Sequence, residues 1–454
     1  MRRVCSCVEL NLRLARRLHA PVVLPADSKF SVLRDGVVDV DDEGRVSYCG
    51  PSADAPPVSA RVPVVRLTGI LLPGLVHAHA HSSMTPLRGA GGDRPLLPWL
   101  TKVIWPAEAR MRAADAHAGM PLGSLEMLQH GITTSAEMYM HGESVVAAAL
   151  TAGNRVLMAP AYFDRPDEGW RGALAAIDKW IDADGLRFGP GERIELCYGP
   201  HSAYSLPKEA LSATADSAAA RGALVHIHVA ETEAEDPALR SVHGSVPQLL
   251  SDTGLMDGRL LAAHAVHLSG HDIRLLADNN VGVAHCPGSN AKLASGVAKL
   301  SALRAASVRV GLGTDGPASN DDLDLWEEMR LAMMFARTAA RDPLALTAQE
   351  ALLMATRGGA AALGRGDIGT LEPGAWADVI HVSVDGPYFA AGLDVADEQL
   401  LANLVWGAGA RGVQDVWVAG EQVLARKHSL GVEPIEARRA VGLSAAHMLS
   451  GNTD

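Results

Sequence analysis

From residue 155 to about residue 315 the chain repeats one pattern. A short apolar run ends in a polar residue, and an Ala- and Leu-rich stretch of helical period follows. Strands are expected at 155–159, 193–198, 223–229, 260–265, 282–285 and 309–313, and helices at 114–129, 144–152, 170–181, 207–221, 323–339 and 347–363. Strands alternating with helices call for a parallel sheet with helical crossovers. The residues closing these runs are rich in chemistry: His79 and His81, His201, His228 and Glu231, His264, His285, and Asp315. A (β/α)8 barrel places its functional groups at the C-terminal ends of its strands. The fold class expected is therefore α/β, a (β/α)8 TIM-like barrel.

The flanks read differently. From Pro21 to about Leu72, β-branched runs are punctuated by Asp35-Gly36 and Glu43-Gly44, the mark of antiparallel strands and tight turns. β character returns at 374–382 and 413–420. We expect the two chain ends to form one small β-sandwich domain. The division is then 1–70 for an N-terminal extension and part of the sandwich, 71–368 for the barrel, and 369–454 for the rest of the sandwich and a tail. The first ~18 residues read as an extension ahead of the fold. A length of 454 residues suits a large barrel with a smaller domain, and 48% apolar residues suffice for the core.

A formal net charge of −12 argues against a nucleic-acid partner, which requires a basic face. Five cysteines in scattered positions (Cys5, Cys7, Cys49, Cys197, Cys286) make no disulfide framework and point to a reducing cytoplasm. Cys5-x-Cys7 lacks the second pair that a zinc site of that type needs. Neither a signal-peptide core nor a membrane span is legible.

In Leu75-Val76-His77-Ala78-His79-Ala80-His81, strand alternation turns all three histidines to one face. A solvated His-rich loop is the alternative for such a motif taken alone. Other segments add to it: His226-Ile227-His228 with Glu231, His264 with His267, His285, and Gly313-Thr314-Asp315-Gly316. His79, His81, His228 and Asp315 would offer three imidazoles and a carboxylate, a donor set suited to zinc or iron(II) with a position left for water. Water on such an ion ionises near neutral pH. Glu231 is the candidate to move its proton, and His264 could polarise the nucleophile or hold Asp315. Each has a plainer alternative. His226, His267 and His285 read as hydrogen-bonded core, Asp315 as a turn cap, and Glu231 as one charge of an acidic run.

With these residues in view, the chain resembles the amidohydrolase superfamily. The resemblance is to the branch of S-adenosylhomocysteine and methylthioadenosine deaminases and triazine chlorohydrolases. It rests on Pro73-Gly74-Leu75-Val76-His77-Ala78-His79-Ala80-His81, Gly131-Ile132-Thr133-Thr134, Gly199-Pro200-His201-Ser202, His228-Val229-Ala230-Glu231-Thr232, Ser289-Asn290-Ala291-Lys292-Leu293 and Gly313-Thr314-Asp315-Gly316. The resemblance implies that His79, His81, His228 and Asp315 bind one divalent metal, zinc first, with iron and manganese as alternatives. It implies that Glu231 shuttles protons and that His264 and Asp315 share the catalytic work. His77 stands where the family commonly has Asn and is left out of the ligand set. The stretch 194–198 carries no Lys to bridge a second metal.

The resemblance further implies that Trp99, Glu108 and His201 contact a small-molecule substrate, although Trp99 and Trp105 could equally be packing residues. The implied reaction is deamination of an adenosine-type nucleoside. The alternatives are hydrolysis of a guanine, pterin or triazine ring, or a non-catalytic member of the fold. Family members that take the homocysteine carboxylate use arginines after the second strand. Leu157-Met158-Ala159-Pro160 offers none, though Arg165 or Arg171 could stand in. A homo-oligomer is also implied, without an interface signature in the sequence.

Overall fold

The structure, a computed structural model, describes residues 15–164 and 169–450, the side chains of 236–238 excepted. Its centre is a ring of parallel strands in two arcs. The first arc holds Leu75–Ala80, Ile132–Tyr139, Arg155–Tyr162 and the broken strand Ile194–Leu196 with Gly199–Pro200. The second holds Leu224–Val229, Arg259–His264, Gly282–His285 and Arg309–Leu312. Isolated parallel bridges join the arcs at both seams, Tyr198 to Val225 and Ser202 to His228 on one side, Ala80 to Asp315 on the other. These strands are called first to eighth in chain order below. Helices such as Gly142–Ala152, Trp170–Asp184 and Lys208–Arg221 link them. Covered on both faces, parallel strands read in sequence as continuous apolar runs.

The second strand, Ile132–Tyr139, breaks that rule and was not among the expected strands. It is buried throughout, yet carries Thr133, Thr134, Ser135 and Glu137. β-branched residues suit its backbone, and the Glu137 carboxylate accepts from the Ser82 amide at 2.8 Å and the Ser82 hydroxyl at 2.6 Å. The helix before it, Ala113–Gln129, packs closely on the turn that follows His81. A Cβ at Gly119 would lie 2.1 Å from the Ser83 carbonyl oxygen, so only glycine permits this approach. The helix expected over 347–363 is instead two, Ala348–Met354 and Arg357–Ala362, broken at Thr356.

Both chain ends share one nine-stranded sheet. The N-terminal part supplies Arg16–Val23, Leu33–Val40, Val46–Pro51, Val64–Arg66 and Ile70–Pro73; the C-terminal part supplies Val379–Val382, Val413–Val418, Glu421–Ala425 and His428–Ser429. They meet where Ile70–Pro73 runs antiparallel to Val379–Val382, with Leu72 opposite Ile380. Leu18, Val38, Leu71, Val379 and Trp417 form a core of their own there. The sheet begins at Arg16, inside the expected extension; residues 1–14, with Cys5 and Cys7, lie outside the described residues. The expected tail holds a further helix, Pro434–Leu449, whose Met448 carbonyl accepts from Arg110 Nε at 2.8 Å. Arg155 and Asp378, both buried, tie barrel to sheet at 3.0 Å.

Candidate metal and active site

Strand Ile70–Pro73 of the outer sheet runs through Gly74 directly into the first barrel strand, which is thereby held at its base. At the other end of that strand stand His79 and His81. His228 closes the fifth strand, His264 the sixth, and Asp315 lies just past the eighth. Ala230, His264, Ala265 and Asp315 all have positive φ, between 48° and 71°. Non-glycine residues in the left-handed region are strained, and such strain gathers at functional sites. Here it turns the chain sharply off the strand ends.

One ligand atom from each of His79, His81, His228 and Asp315 lies within 4.8 Å of the others. Asp315 Oδ1 is 3.2 Å from His79 Nε2 and 3.0 Å from His81 Nε2, and the Nε2 atoms of His81 and His228 face each other at 3.4 Å. Their other nitrogens are engaged. His81 Nδ1 donates to the Met138 carbonyl, His228 Nδ1 donates to the His201 carbonyl at 2.8 Å, and His79 Nδ1 pairs with His226 Nε2 at 2.8 Å. A donating Nδ1 leaves Nε2 as the free lone pair, the tautomer a metal needs. Beyond the approach of Asp315, the buried His79 Nε2 has no hydrogen-bond partner among the described residues. These four residues fit a divalent ion: buried but for the partly exposed His81, convergent and of mixed N/O character.

Burial and mutual contacts shift the protonation of these clustered groups strongly. Burial, then the neighbouring imidazole of His81, holds His79 down at about 3 despite Asp315. Burial opposes a charge on His81 too, but Asp315 outweighs it and lifts the group to about 9. For Asp315 burial favours the neutral form, and the contacts of His79 and His81 overcome it, keeping the carboxyl well below its usual range. Burial, followed by Asp315, pushes Glu231 well above the usual carboxylic range. A group so poised can carry a proton at neutral pH.

Glu231 Oε2 lies 3.7 Å from His264 Nε2, and His264 Nδ1 pairs with Asn290 Oδ1 at 2.9 Å. The hydroxyls of Ser289 and Ser319 each donate to Asp315 Oδ2 at 2.7 Å. The amides of Glu231 and Thr232 donate to the buried carboxylate of Glu235 at 3.1 and 3.2 Å, which sets the turn bearing Glu231. These supporting groups carry no motif spacing of their own. Ser289 and Asn290 were visible only within a matched segment.

Trp99, Glu108 and His201 line the same cleft as His81, His228, Glu231, His264 and Asp315. Trp99 and Glu108 come from one irregular helical stretch, 96–108, which has a wide turn at Leu100–Ile104. Wide turns of this kind recur at functional sites. Glu108 faces Tyr139, whose hydroxyl is pushed well up by burial and then by that carboxylate. The sequence did not single out Phe163, with its ring 4.5 Å from that of His201, or Tyr204 and Met84. Phe163 and Tyr204 sit on separate loops and Met84 on the short 3-10 helix Ser82–Leu87, segments that meet only in the fold. His226 supports His79, and His267 Nε2 donates to the Ser295 carbonyl at 2.6 Å. His285 is buried, its Nδ1 without a partner among the described residues. Arg171 lies exposed over the Trp170 ring, away from the cleft, and Arg165 falls outside the described residues.

Comparison with known proteins agrees with this geometry. The amidohydrolase family matches over residues 70–423. A 5-methylthioadenosine/S-adenosylhomocysteine deaminase of Pelotomaculum thermopropionicum is 39% identical over 424 residues, covering 92% of this chain and 94% of its own. One from Moorella thermoacetica is 39% identical over 402 residues, covering 87% and 91%. Among solved structures, an adenosine deaminase from Xanthomonas campestris with bound zinc superposes with a TM-score of 0.88 at 33% identity, covering 95% of this chain and 98% of that one. The atrazine chlorohydrolase of Arthrobacter aurescens, complexed with zinc, gives 0.84 at 24% identity, covering 95% and 99%, a likeness of fold. The chain belongs to the amidohydrolase family.

Proposed function

We propose that this protein is a metal-dependent aminohydrolase that converts a 5'-substituted adenosine to the inosine-type nucleoside and ammonia. The observation that carries the reading is the convergence of Glu231, His264 and the three-histidine, one-aspartate cluster on a single cleft bounded by Trp99, Glu108 and His201. The similarity to relatives named as deaminases supports it.

On this reading one divalent ion, zinc before iron or manganese, is held by His79, His81, His228 and Asp315. When bound, it supplies Lewis-acid activation of water. Glu231 takes a proton from the water as its oxygen adds to the 6-carbon of the ring, and delivers one to the amine as the carbon–nitrogen bond breaks. His264, held by Asn290, steadies the incoming oxygen. Glu108 accepts from the ribose hydroxyls, and Trp99 covers an apolar face. Residues 71–368 would carry this chemistry, with 1–70 and 369–454 as its support.

Among the described residues lining the cleft there is no lysine or arginine. That favours a neutral 5' substituent such as methylthio over the charged end of S-adenosylhomocysteine. Among the described residues no helix is long and apolar enough to cross a membrane, and Cys49, Cys197 and Cys286 are free, which supports a cytoplasmic setting. The exposed Ile435 and Leu443 on the last helix are the first residues to vary if light scattering reveals an oligomer.

The test is ammonia release and the ultraviolet shift across adenosine, 5'-deoxyadenosine, methylthioadenosine, S-adenosylhomocysteine, guanine, a pterin and a triazine. Turnover of an adenosine derivative supports the reading. Turnover of another ring alone would replace the substrate class, and no turnover with zinc or manganese supplied would remove the activity.

A further inference from the structure

His77 shares the inward face of the first strand with His79 but lies one layer deeper, fully buried, and takes no part in the four-residue cluster. Its Nε2 accepts from the backbone amide of Thr314 at 2.8 Å, and the Thr314 hydroxyl lies at the same distance. Accepting at Nε2 leaves the proton on Nδ1, an atom with no partner among the described residues.

The bond matters because of where Thr314 stands. The eighth strand ends at Leu312, so its ladder no longer supplies a partner to Thr314. The chain must then turn through Asp315, at φ 67°, to bring that carboxylate beside His79 and His81. A buried amide left without an acceptor is costly. His77 supplies the acceptor from across the seam. On the other side of the same residue, Asn320 Nδ2 donates to the Thr314 carbonyl at 2.8 Å. Both backbone groups of Thr314 are thus taken by side chains, and the left-handed residue that follows is fixed between them.

We infer that His77 is a positioning residue, acting through the Thr314 amide to hold Asp315 in the geometry that binds the metal ion. The inference rests on the metal reading above. Groups that orient metal ligands typically change affinity by about 10–100-fold when lost. The experiment is zinc competition against a chromogenic chelator for the wild-type protein, His77→Leu and His77→Asn, with the melting temperature of each metal-free protein. Leu fills similar space without an acceptor, whereas the Asn side-chain oxygen can accept the amide.

The expected result is a roughly 10–100-fold weaker zinc affinity for His77→Leu, largely restored in His77→Asn. A packing role alone would lower both metal-free melting temperatures and leave the affinities alike. Equal zinc affinity in wild type and His77→Leu overturns the inference. Should His77→Leu fail to fold, an affinity for His77→Asn weakened as much as that of an Asp315→Ala control would overturn it as well. A wild-type protein that binds no zinc would instead overturn the metal reading.

Discussion

Asp315 combines several demands in one side chain. One oxygen faces two imidazoles, the other takes two serine hydroxyls, and its backbone is left-handed. Glu231, by contrast, makes no hydrogen bond or ion pair with the four clustered side chains among the described residues and pairs with His264 instead, so its loss should separate binding from chemistry. Glu231→Gln is expected to retain a full complement of metal while kcat falls about 100- to 10,000-fold; near-normal kcat with metal present would refute the proton-carrying role. Glu108→Gln is expected to raise KM about 10–100-fold, the scale of a charge-assisted hydrogen bond. The penalty should shrink for a substrate lacking both ribose hydroxyls, and an equal penalty on both substrates would deny the contact. At this scale the sequence was most legible where strand alternation and strand ends fix a side chain's direction, as for His79, His81, His228 and Asp315. It was least legible for Phe163 and Tyr204, which reach the site from loops, and for Glu235 on a single 3-10 turn, segments too short to have a period to read.

Elements differed in the same way. Gly282–His285 was expected at the bounds observed, because a short apolar run closed by a polar residue between turn residues has few other uses. Ile132–Tyr139 was missed because its buried face spends its positions on hydroxyls and Glu137, which resemble a loop in any hydrophobicity pattern. Pro434–Leu449 was read as a tail, since its buried face is narrow and much of its surface is exposed. The close approach of Ala113–Gln129 to the turn after His81 makes a sharp prediction. Gly119→Ala, ordinarily favourable in a helix, is expected to cost about 1–3 kcal/mol here, because the new methyl meets backbone rather than a yielding side chain. Urea denaturation checks it; unchanged or improved stability would mean that the helix has room to move.

At the scale of the whole molecule, the ring is fastened at its base by charge. Glu195, fully buried on the fourth strand, meets Arg259 at 2.7 Å, Arg365 at 2.7 Å and Arg187 at 2.9 Å. Burial alone would raise its pKa, but these guanidinium groups prevail and hold it below the usual value. A carboxyl depressed by the fold stabilises at neutral pH, and that contribution is lost as pH falls through the lowered value. Glu195→Gln should therefore cost about 3–5 kcal/mol near pH 7, the scale of breaking a buried ion pair. The deficit should narrow toward pH 4, as read by denaturation at both pH values; a constant deficit would assign the effect to packing. At the opposite end the two arcs meet through isolated bridges rather than a continuous ladder. One seam lies between the strand of His79 and His81 and Asp315; the other pairs His228 with Ser202, beside the His201 carbonyl that His228 also engages. An ion held by these four side chains is then a rivet through two half-rings as well as a reagent. Chelation should speed amide hydrogen exchange at 198–202 and 313–315 before it does so in the strands between them, so that the barrel would come apart along its two seams.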